Sequence, residues 1–273
     1  MMATLYYSFT HFDLLSPPKW VGLSNYRFMF TSDPQFWQSV RNTLWIILIA
    51  VPIQVVFAIS VAMILTRPKR GLGIYRTIFF LPTMIPAVAA ALGFVFLLNP
   101  AGPINRVLSF LHLPTPLWFQ DPHFSKPALV ILSIWVIGET MIIFLAGLLD
   151  VPAQLYEAAD IEGAGAWQKF WYVTLPTISP VILFAVVIGV ITGFQYFTEG
   201  YIASSATSTN QTLGDPQGSL LFYAIWLYEQ GFSAFHMGYA SAMAWILFLV
   251  IMACTIVLIR TSNRWVHYQG GFR

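Results

Sequence analysis

The sequence predicts an all-α protein: a polytopic bundle of transmembrane helices with five full spans and a partial N-terminal helix. Three observations indicate this, since 58% of the 273 residues are hydrophobic, only 9% are charged, and the mean hydropathy is +0.71. Ordinary soluble domains are about one quarter charged, so a chain this apolar belongs in a bilayer. We expect residues 1–273 to form a single transmembrane domain.

Five apolar runs each approach the ~20 residues that a helix needs to cross the hydrocarbon core. They cover residues 43–65, 75–98, 128–149, 180–197 and 237–259. Pro82 and Pro86 predict a kink in the second span, because proline removes a backbone donor and clashes with the preceding turn. Ser179 before Pro180 predicts an N-cap followed by a first-turn proline at the start of the fourth span.

Residues 1–12 are apolar and aromatic but too few to span a membrane. No basic region precedes them, so they make a poor signal peptide. The segment is expected to be the outer half of a first helix whose beginning is absent from this chain. An interfacial helix is the alternative.

Basic residues predict the orientation, because cytoplasmic loops are enriched in Lys and Arg. Residues 67–70, Arg-Pro-Lys-Arg, together with Arg76 place the loop after the first span in the cytoplasm. Alternation then puts residues 99–127 and 198–236 outside and residues 150–179 inside. The C-terminal tail also falls inside; its basic residues are Arg260, Arg264 and Arg273.

Composition and spacing argue against several functions. The net charge of +2, without a basic run interleaved with aromatics, does not suggest nucleic-acid binding. Cys254 is the sole cysteine and the histidines lie far apart, so neither a disulfide framework nor a metal site is expected. The chain has no Gly-x-x-x-x-Gly-Lys-Ser/Thr phosphate loop, and none of its lysines follows a glycine. We therefore expect no catalytic residue and no bound cofactor, with ATP bound elsewhere.

The loop before the fourth span begins with a predicted helix. Asp150 can cap this helix with Pro152 in its first turn, and residues 154–161 are good helix formers. Glu157 and Asp160 lie one helical turn apart, so they share a face.

Gly163-Ala164-Gly165 predicts a tight bend with almost no side-chain bulk, which permits close approach of another backbone. An aromatic face follows, formed by Trp167, Phe170 and Trp171. Pro176 is expected to end this element before the next span. Residues 150–176 therefore predict an exposed helix–turn–helix shaped to fit a partner. An ordinary amphipathic helix lying on the membrane is the alternative.

This loop resembles the signature loop of permeases from binding-protein-dependent ABC importers, Glu-Ala-Ala-x-x-x-Gly with Leu-Pro further on. The residues assigned to it are Glu157, Ala158, Ala159, Asp160, Gly163, Ala164, Phe170, Leu175 and Pro176. Glu162 departs from the family, which usually has Asp there, but the charge is kept. The resemblance implies a cytoplasmic coupling helix that sits in a groove of a separate ATPase, with Glu157 as its central contact.

Other segments are similar to the carbohydrate-uptake branch of that family, the maltose-type and glycerol-3-phosphate-type permeases. They are Pro-Pro-Lys-Trp-Val-Gly-Leu-Ser-Asn-Tyr at residues 17–26, Tyr-Arg-Thr-Ile-Phe-Phe-Leu-Pro at 75–82 and His-Met-Gly-Tyr-Ala-Ser-Ala at 236–242. The tail Trp-Val-His-Tyr at 265–268 resembles the first of two paired permeases. The similarity covers nearly the whole chain and implies a six-span type I ABC importer permease core.

The resemblance also implies partners and a location. The partners are an ATPase dimer that binds ATP and Mg, a paralogous second permease, an extracytoplasmic solute-binding protein and the lipid bilayer. The location is the bacterial or archaeal cytoplasmic (inner) membrane, crossed several times, with the C-terminus in the cytoplasm.

Two polar groups are candidates for the substrate path. Glu139 is predicted midway along its span, where a carboxylate is costly and usually faces a bundle interior or a water cavity. Its polar and aromatic neighbours are Ser133, Trp135, Gly138 and Thr140. Near the outer end of the next span lie Gln195, Tyr196 and Glu199. The resemblance implies that these two helices contribute to a sugar-contacting cavity, although the side chains do not match the family one by one. Cross-helix hydrogen bonding by Glu139 and Gln195 is the alternative.

Some residues near the predicted outer face have two interpretations each. His236, Tyr239 and Tyr201 are candidates to gate the outer mouth or to anchor the membrane interface. Asp215 and Asn210 lie in a polar segment, residues 204–218, that either touches the solute-binding protein or is simply solvated.

The leading hypothesis is the permease subunit of an ATP-driven ABC importer for a sugar or sugar-like solute that a binding protein delivers. An ion-coupled secondary transporter using Glu139 is the alternative, but no inverted repeat is evident and it leaves the loop at 150–176 unexplained. A membrane-embedded enzyme is a third class, and no cluster of His, Asp and Glu near one membrane face supports it.

Overall fold

The computed structural model describes residues 1–66, 71–207 and 213–267. Several residues used in the sequence analysis lie outside these ranges: the basic run 67–70, Asn210, Tyr268 and Arg273.

Helices dominate the described residues, so the all-α prediction is confirmed. The first helices in chain order are α1 (Met2–Ser8), α2 (Ser24–Thr31), α3 (Pro34–Thr66), α4 (Leu72–Phe80), α5 (Ala87–Leu97), α6 (Pro103–Phe110), α7 (Pro122–Trp135) and α8 (Gly138–Leu149). They are followed by α9 (Ala153–Ile161), α10 (Ala166–Lys169), α11 (Leu175–Thr177), α12 (Ser179–Phe194), α13 (Thr198–Thr207), α14 (Tyr223–Tyr228) and α15 (Met237–Ser262).

Shorter elements connect some of these helices. A 3-10 turn covers Leu81–Met84, and π-helical turns cover Phe170–Thr174 and Glu229–Ser233. Two short strands, β1 (Thr10–His11) and β2 (Lys19–Trp20), pair in antiparallel register with Thr10 opposite Trp20.

Among the described residues, α3 and α15 are each long and apolar enough to cross a membrane. Three bent pairs bring the number of candidate spans to five if each pair is one span: Leu72–Met84 with Ala87–Leu97, Pro122–Trp135 with Gly138–Leu149, and Ala166–Thr177 with Ser179–Phe194. These five segments follow the order of the predicted spans. The first begins earlier than predicted, at Pro34. The N-terminal segment forms α1, with seven residues.

The second span is broken between its two helices, which confirms the predicted kink. Ile85 takes an extended backbone (φ −80°, ψ 129°), as residues before proline do, and α5 starts after Pro86. The 50° bend between α7 and α8 was not predicted. Since Pro127 lies within α7, proline does not mark that break.

The fourth span starts at Ser179, one residue before the predicted Pro180, but two expectations about the residues at this start are wrong. Helix continues through Pro176 as α11, and the 66° bend falls at Ile178. Only one more helical residue, Thr177, follows Pro176 before the break. Ser179 does not act as the cap, since its hydroxyl donates to the Pro176 carbonyl at 2.6 Å and the residue is already helical.

The chain divides into two compact units, and each is described separately. The first unit contains Met1–Ile49, Pro86–Leu132 and Ile191–Ala253. The second contains Ala50–Ile85, Ser133–Val190 and Cys254–Arg273. A single domain over residues 1–273 stays a prediction.

Each unit has its own buried core. In the first unit the fully or nearly buried side chains are Met29, Phe36, Tyr223, Tyr239, Ala242 and Met243. In the second they are Val55, Ala58, Ile59, Val61, Ala62, Leu65, Ile137, Met141, Phe144, Leu145, Leu148, Val151 and Ile178. Within a membrane such cores are held by close van der Waals packing, which small residues at helix contacts allow.

Gly138 illustrates this close packing in the second unit. A Cβ atom on Gly138 would lie 2.5 Å from the Phe79 carbonyl oxygen and 2.7 Å from the Phe80 Cα, both backbone atoms. We expect Gly138→Ala to destabilise the protein by about 1–3 kcal/mol, because the end of α4 must shift to relieve the overlap. The thermal unfolding temperature of the purified protein measures this.

The matched control is Gly73→Ala, on α4 of the same unit, where a Cβ would have no atom within 4 Å. Alanine is the better helix former, so this variant should unfold at or above the wild-type temperature. Equal unfolding temperatures for the two variants would contradict the role given to the contact.

Candidate functional site

The candidate coupling loop, residues 150–176, lies in the second unit and begins with α9. Pro152 is the N-cap residue in an extended conformation, and no side chain caps the helix. The predicted cap at Asp150 is therefore wrong. Asp150 instead ends α8, with its N–H bonded to the Ala146 carbonyl at 3.1 Å. Proline fixes its own φ angle, so Pro152 sets the direction in which the chain enters α9 without a side-chain cap.

The end of α9 explains the glycine of the motif. Gly163 has φ +77°, a left-handed conformation that glycine adopts without a steric penalty. Its N–H donates to the Asp160 carbonyl at 3.0 Å, and the Ala164 N–H donates to the Ala159 carbonyl at 2.9 Å. These two bonds form a Schellman motif, which satisfies the last carbonyls of the helix. The predicted bend is thus confirmed.

Two side-chain pairs fasten α9 to the second arm of the loop. Asp160 forms an ion pair with Lys169 on α10. The Tyr156 and Thr174 hydroxyls are 2.9 Å apart and hydrogen-bonded. Asp160 therefore has a partner inside the loop. The sequence analysis missed Lys169 and Tyr156 in these roles, because pairing across a turn depends on the path of the backbone.

The assigned residues separate by exposure. Glu157, Ala158, Asp160 and Gly163 are exposed, whereas Ala159 is buried and Ala164, Phe170, Leu175 and Pro176 are half-buried. Phe170 packs against the core of the second unit. The assigned residues of the loop thus form an outward group, the exposed residues that include Glu157, and an inward group. The inward group includes Phe170, which attaches the loop to the core of the second unit.

Large apolar side chains are also exposed on this loop. Ile161 is 88% exposed, Tyr172 80% and Trp167 72%. Trp167 also forms an aromatic cluster with Phe170 and Trp171. The centroid of the Trp167 ring lies 6.0 Å from that of Phe170 and 5.7 Å from that of Trp171. This confirms the predicted aromatic face, and exposed apolar groups beside a carboxylate are typical of a protein interface. The sequence analysis overlooked Ile161 and Tyr172.

The C-terminal segment is attached to the break that follows the loop. The His267 N–H donates to the Ser179 hydroxyl oxygen at 2.9 Å, while that hydroxyl donates to the Pro176 carbonyl. Val266 beside it is buried. The described residues after α15 and the exit of the loop thus share one hydroxyl group.

Glu139 lies in the first turn of α8, at the bend between α7 and α8, and its side chain is exposed. A carboxylate in a first turn also interacts favourably with the helix dipole. Around it, Trp135 is exposed and Ser133 and Thr140 are half-buried. These four residues belong to the second unit.

The other candidate path residues belong to the first unit. Gln195 and Tyr196 follow the end of α12, and Glu199 is in the first turn of α13. Gln195 is exposed. The Tyr196 hydroxyl is buried and has no hydrogen-bond partner among the residues that the structure describes, while its ring meets Phe222 edge-on at 5.2 Å.

The candidate gate residues have different environments. His236 is exposed, with Nδ1 2.9 Å from Gln230 Oε1. The Tyr201 ring stacks on Phe197 with centroids 5.2 Å apart. Tyr239 is buried, and its hydroxyl donates to Asp33 at 2.6 Å. A buried and bonded tyrosine suits a structural role better than either predicted role.

Asp33 is the polar residue in this unit that the sequence analysis missed. Its Oδ1 accepts from the backbone N–H groups of Gln35 and Phe36 at 2.9 and 3.1 Å, capping α3. Its Oδ2 accepts from Trp226 Nε1 at 2.8 Å as well as from Tyr239. The residue is only 5% exposed. Asp before Pro34 signals a helix cap, but nothing nearby in sequence signals the distant partners.

We expect Asp33→Ala to destabilise the protein by about 3 kcal/mol, because it removes a cap and leaves two buried donors without partners. The thermal unfolding temperature again measures this. The exposed neighbour Ser32 provides the control, and Ser32→Ala should unfold as the wild type does. An Asp33→Ala protein as stable as the Ser32→Ala protein would refute this structural role.

Comparison with known proteins identifies a family. Residues 35–268 match the sequence model of the family described as the binding-protein-dependent transport system inner membrane component. The chain is 40% identical to YesP of Bacillus subtilis, a probable ABC transporter permease protein, over 99% of this chain and 86% of YesP. It is 32% identical to SmoG of Agrobacterium fabrum, a sulfoquinovosyl glycerol transport system permease protein, over 94% of this chain and 82% of SmoG.

A solved structure shares the fold. The crystal structure of a bacterial ABC transporter involved in the import of the acidic polysaccharide alginate contains a chain that matches with a TM-score of 0.77 and 23% identity. The match covers 96% of this chain and 89% of that chain.

The family match and the 40% identity to YesP define the class of protein, the inner membrane subunit of an ABC transporter. The chain belongs to the family of binding-protein-dependent transport system inner membrane components. It is a transport subunit rather than an enzyme, and the ATPase is a separate subunit. The predicted family is confirmed, and the ion-coupled alternative finds no support.

Proposed function

We propose that this subunit imports a sugar or sugar-like solute, which an extracytoplasmic binding protein delivers, and that residues 150–176 couple it to the ATPase. The observation that carries the coupling role is the exposed Glu157 on a helix fixed by the Gly163 turn. The names of its relatives support a carbohydrate, since SmoG is a sulfoquinovosyl glycerol permease and the alginate importer carries a polysaccharide.

The loop is built to transmit force as a rigid piece. The Schellman turn, the Asp160–Lys169 ion pair and the Tyr156–Thr174 hydrogen bond tie its two arms together. Phe170 and Val173 then pack against the core of the second unit. A push on α9 therefore reaches the helices of that unit without being absorbed by loop flexibility.

In this mechanism an ATPase dimer binds ATP and Mg, and a paralogous second permease completes the membrane part. Closure of the dimer brings the Glu157 loop and the corresponding loop of the second permease together and shifts the permease pair from inward-facing to outward-facing. ATP supplies the bias because it binds the closed dimer more tightly than the open one. The proposed setting is a bacterial or archaeal inner membrane, with the loop and the C-terminus in the cytoplasm.

Two groups of residues are proposed to line the solute path, each argued within its own unit. In the second unit, exposed Glu139 and Trp135 offer a hydrogen-bonding carboxylate beside an aromatic ring, with Ser133 and Thr140 adjacent. In the first unit, Gln195 is exposed, and the buried Tyr196 hydroxyl is close in sequence to Glu199. Hydroxyl-rich ligands suit hydrogen-bonding groups combined with aromatic surfaces.

Reconstitution tests the proposed function. The chain, its ATPase, its second permease and the binding protein are placed in proteoliposomes and offered a panel of labelled mono- and oligosaccharides. Uptake should require enclosed ATP and the binding protein and should proceed without an ion gradient. Uptake driven by an ion gradient in the absence of ATP would overturn the proposal.

A further inference from the structure

Arg41 and Lys126 form a pair of cations in the first unit. Arg41 is exposed near the start of α3, and Lys126 is half-buried near the start of α7. The Lys126 Nζ lies 5.5 Å from the centroid of the Trp45 ring, within the range of a cation–π contact. Arg41 is close enough to act on Lys126 through its charge. The two helices thus bring two positive charges and an aromatic ring to one place.

No carboxylate in the described part of the chain pairs with either cation. The ion pairs found there join His123 to Asp121 and Lys169 to Asp160. Asp121, the acidic residue closest to Lys126 in sequence, also accepts a hydrogen bond from the His123 backbone N–H at 2.8 Å. Two like charges held together repel each other, and partial burial reduces the screening by water and salt. An anion bound beside both cations would replace this repulsion with attraction.

The cation pair lies at the membrane face that the charge pattern places outside. Lys and Arg are enriched in cytoplasmic loops, so that tendency does not account for two cations here. The 33 residues of α3 extend over about 50 Å, whereas the hydrocarbon core is ~30 Å thick. The first turns of α3, which carry Arg41, therefore reach the headgroup layer. Tryptophans such as Trp45 are also enriched at that level.

An apolar groove runs along the same face of α3. Trp37 and Leu44 line it, and Arg41 lies four residues after the first and three before the second, so all three share one helix face. The groove has a volume of about 240 Å³, and its other walls come from α2, the end of α12, α14 and α15. Because α3 and α15 are the two helices long and apolar enough to cross a membrane, most of the groove lies at the depth of the lipid chains.

The polar atoms along the described walls of the groove are already bonded within the protein. Trp37 Nε1 donates to the Phe30 carbonyl at 3.1 Å. The Tyr223 N–H donates to the Thr43 hydroxyl oxygen at 2.8 Å, and the Tyr223 hydroxyl donates to the Met243 carbonyl at 2.8 Å. A hydroxyl-rich solute would lose its hydration here without gaining new hydrogen bonds. An acyl chain, which is as apolar as a leucine side chain, has no such cost.

We propose that Arg41, Lys126 and this groove form a binding site for an anionic phospholipid. The phosphate lies beside the two cations, and one acyl chain lies in the groove along Trp37 and Leu44. Arginine forms charge-assisted hydrogen bonds to phosphate oxygens, and lysine adds a second positive charge. The site joins a charged end to an apolar end on one helix face, as a phospholipid does. It would serve the subunit whatever solute is imported.

The test measures phospholipid binding to the assembled transporter by native mass spectrometry. Delipidated transporter in detergent is titrated with phosphatidylglycerol and, separately, with phosphatidylcholine. We expect phosphatidylglycerol to bind about tenfold more tightly, since choline adds a positive charge that the cation pair repels. A double variant, Arg41→Gln with Lys126→Gln, should lose this preference and bind phosphatidylglycerol about tenfold more weakly than the wild type does. Arg106→Gln is the matched control, because Arg106 is an exposed cation on α6 of the same unit, and it should bind as the wild type does.

A second pair of variants tests the groove without changing any charge. Leu44→Trp places a large ring in the groove, whereas Leu48→Trp makes the same change one turn further along α3, at a residue that does not line the groove. Both leucines are exposed, so both variants should unfold at the wild-type temperature in lipid-free detergent. We expect Leu44→Trp to bind both phospholipids several-fold more weakly and Leu48→Trp to bind them as the wild type does.

Three results would overturn the phospholipid site. The first is equal binding of the two phospholipids by the wild type. The second is unchanged phosphatidylglycerol binding by the double variant and by Leu44→Trp. The third is displacement of phosphatidylglycerol by an equal concentration of glycerol 1-phosphate or galacturonate, which would assign the cation pair to a soluble anion.

Discussion

Replacing Glu157 with lysine is expected to abolish co-purification of the ATPase with this subunit and to abolish uptake. The side chain is exposed on α9, so the substitution should not disturb folding. It places a positive charge at the centre of the proposed contact, where a wrong-sign charge costs about 3 kcal/mol or more, roughly a 100-fold loss in affinity. Pull-down of the ATPase from detergent-solubilised membranes measures the effect.

The control for this experiment is Asp121→Lys, which makes the same charge change outside the loop and should retain the ATPase. Glu157→Gln, which keeps the shape but not the charge, should fall between the two. If the wild type and Glu157→Lys both retain the ATPase, or neither does, residues 150–176 are not the coupling element.

Replacing Glu139 with alanine is expected to abolish uptake while the complex still assembles and hydrolyses ATP. The side chain is exposed at the start of α8 and packs in neither buried core, so its loss should leave assembly unchanged. Its proposed role is to hydrogen-bond the passing solute, a role that alanine does not provide. Uptake of labelled solute and ATP hydrolysis, measured on the same proteoliposomes, separate the two effects.

Glu139→Gln serves as the conservative comparison, because an amide still accepts and donates hydrogen bonds. Partial uptake by this variant would support a hydrogen-bonding role, whereas no uptake would indicate that the charge itself is needed. Full uptake by Glu139→Ala at normal expression would remove Glu139 from the path and favour the helix-dipole role alone.

The features that sequence predicted well are those encoded locally. The apolar runs located the five candidate spans, and Pro82 and Pro86 located the bend in the second. The bend at Gly163 followed from the backbone freedom of glycine. In each case the residues that determine the structure are adjacent in the chain.

The features that sequence did not predict depend on contacts between distant residues or on competition between local preferences. Asp33 bonds to Trp226 and Tyr239, about two hundred residues away, and no spacing rule pairs them. The bend between α7 and α8 has no proline at its position, and Gly138 there accommodates the backbone of Phe79. At Pro176, the helix runs one residue beyond the proline that was expected to end it.

The hydroxyl of Ser179 links the segment after α15 to the break that follows the loop. Because it bonds both to the carbonyl of Pro176 and to the N–H of His267, a displacement of the loop pulls on two chain segments at once. A displacement of residues 150–176 would thus act on both the fourth span and the segment that follows the fifth span.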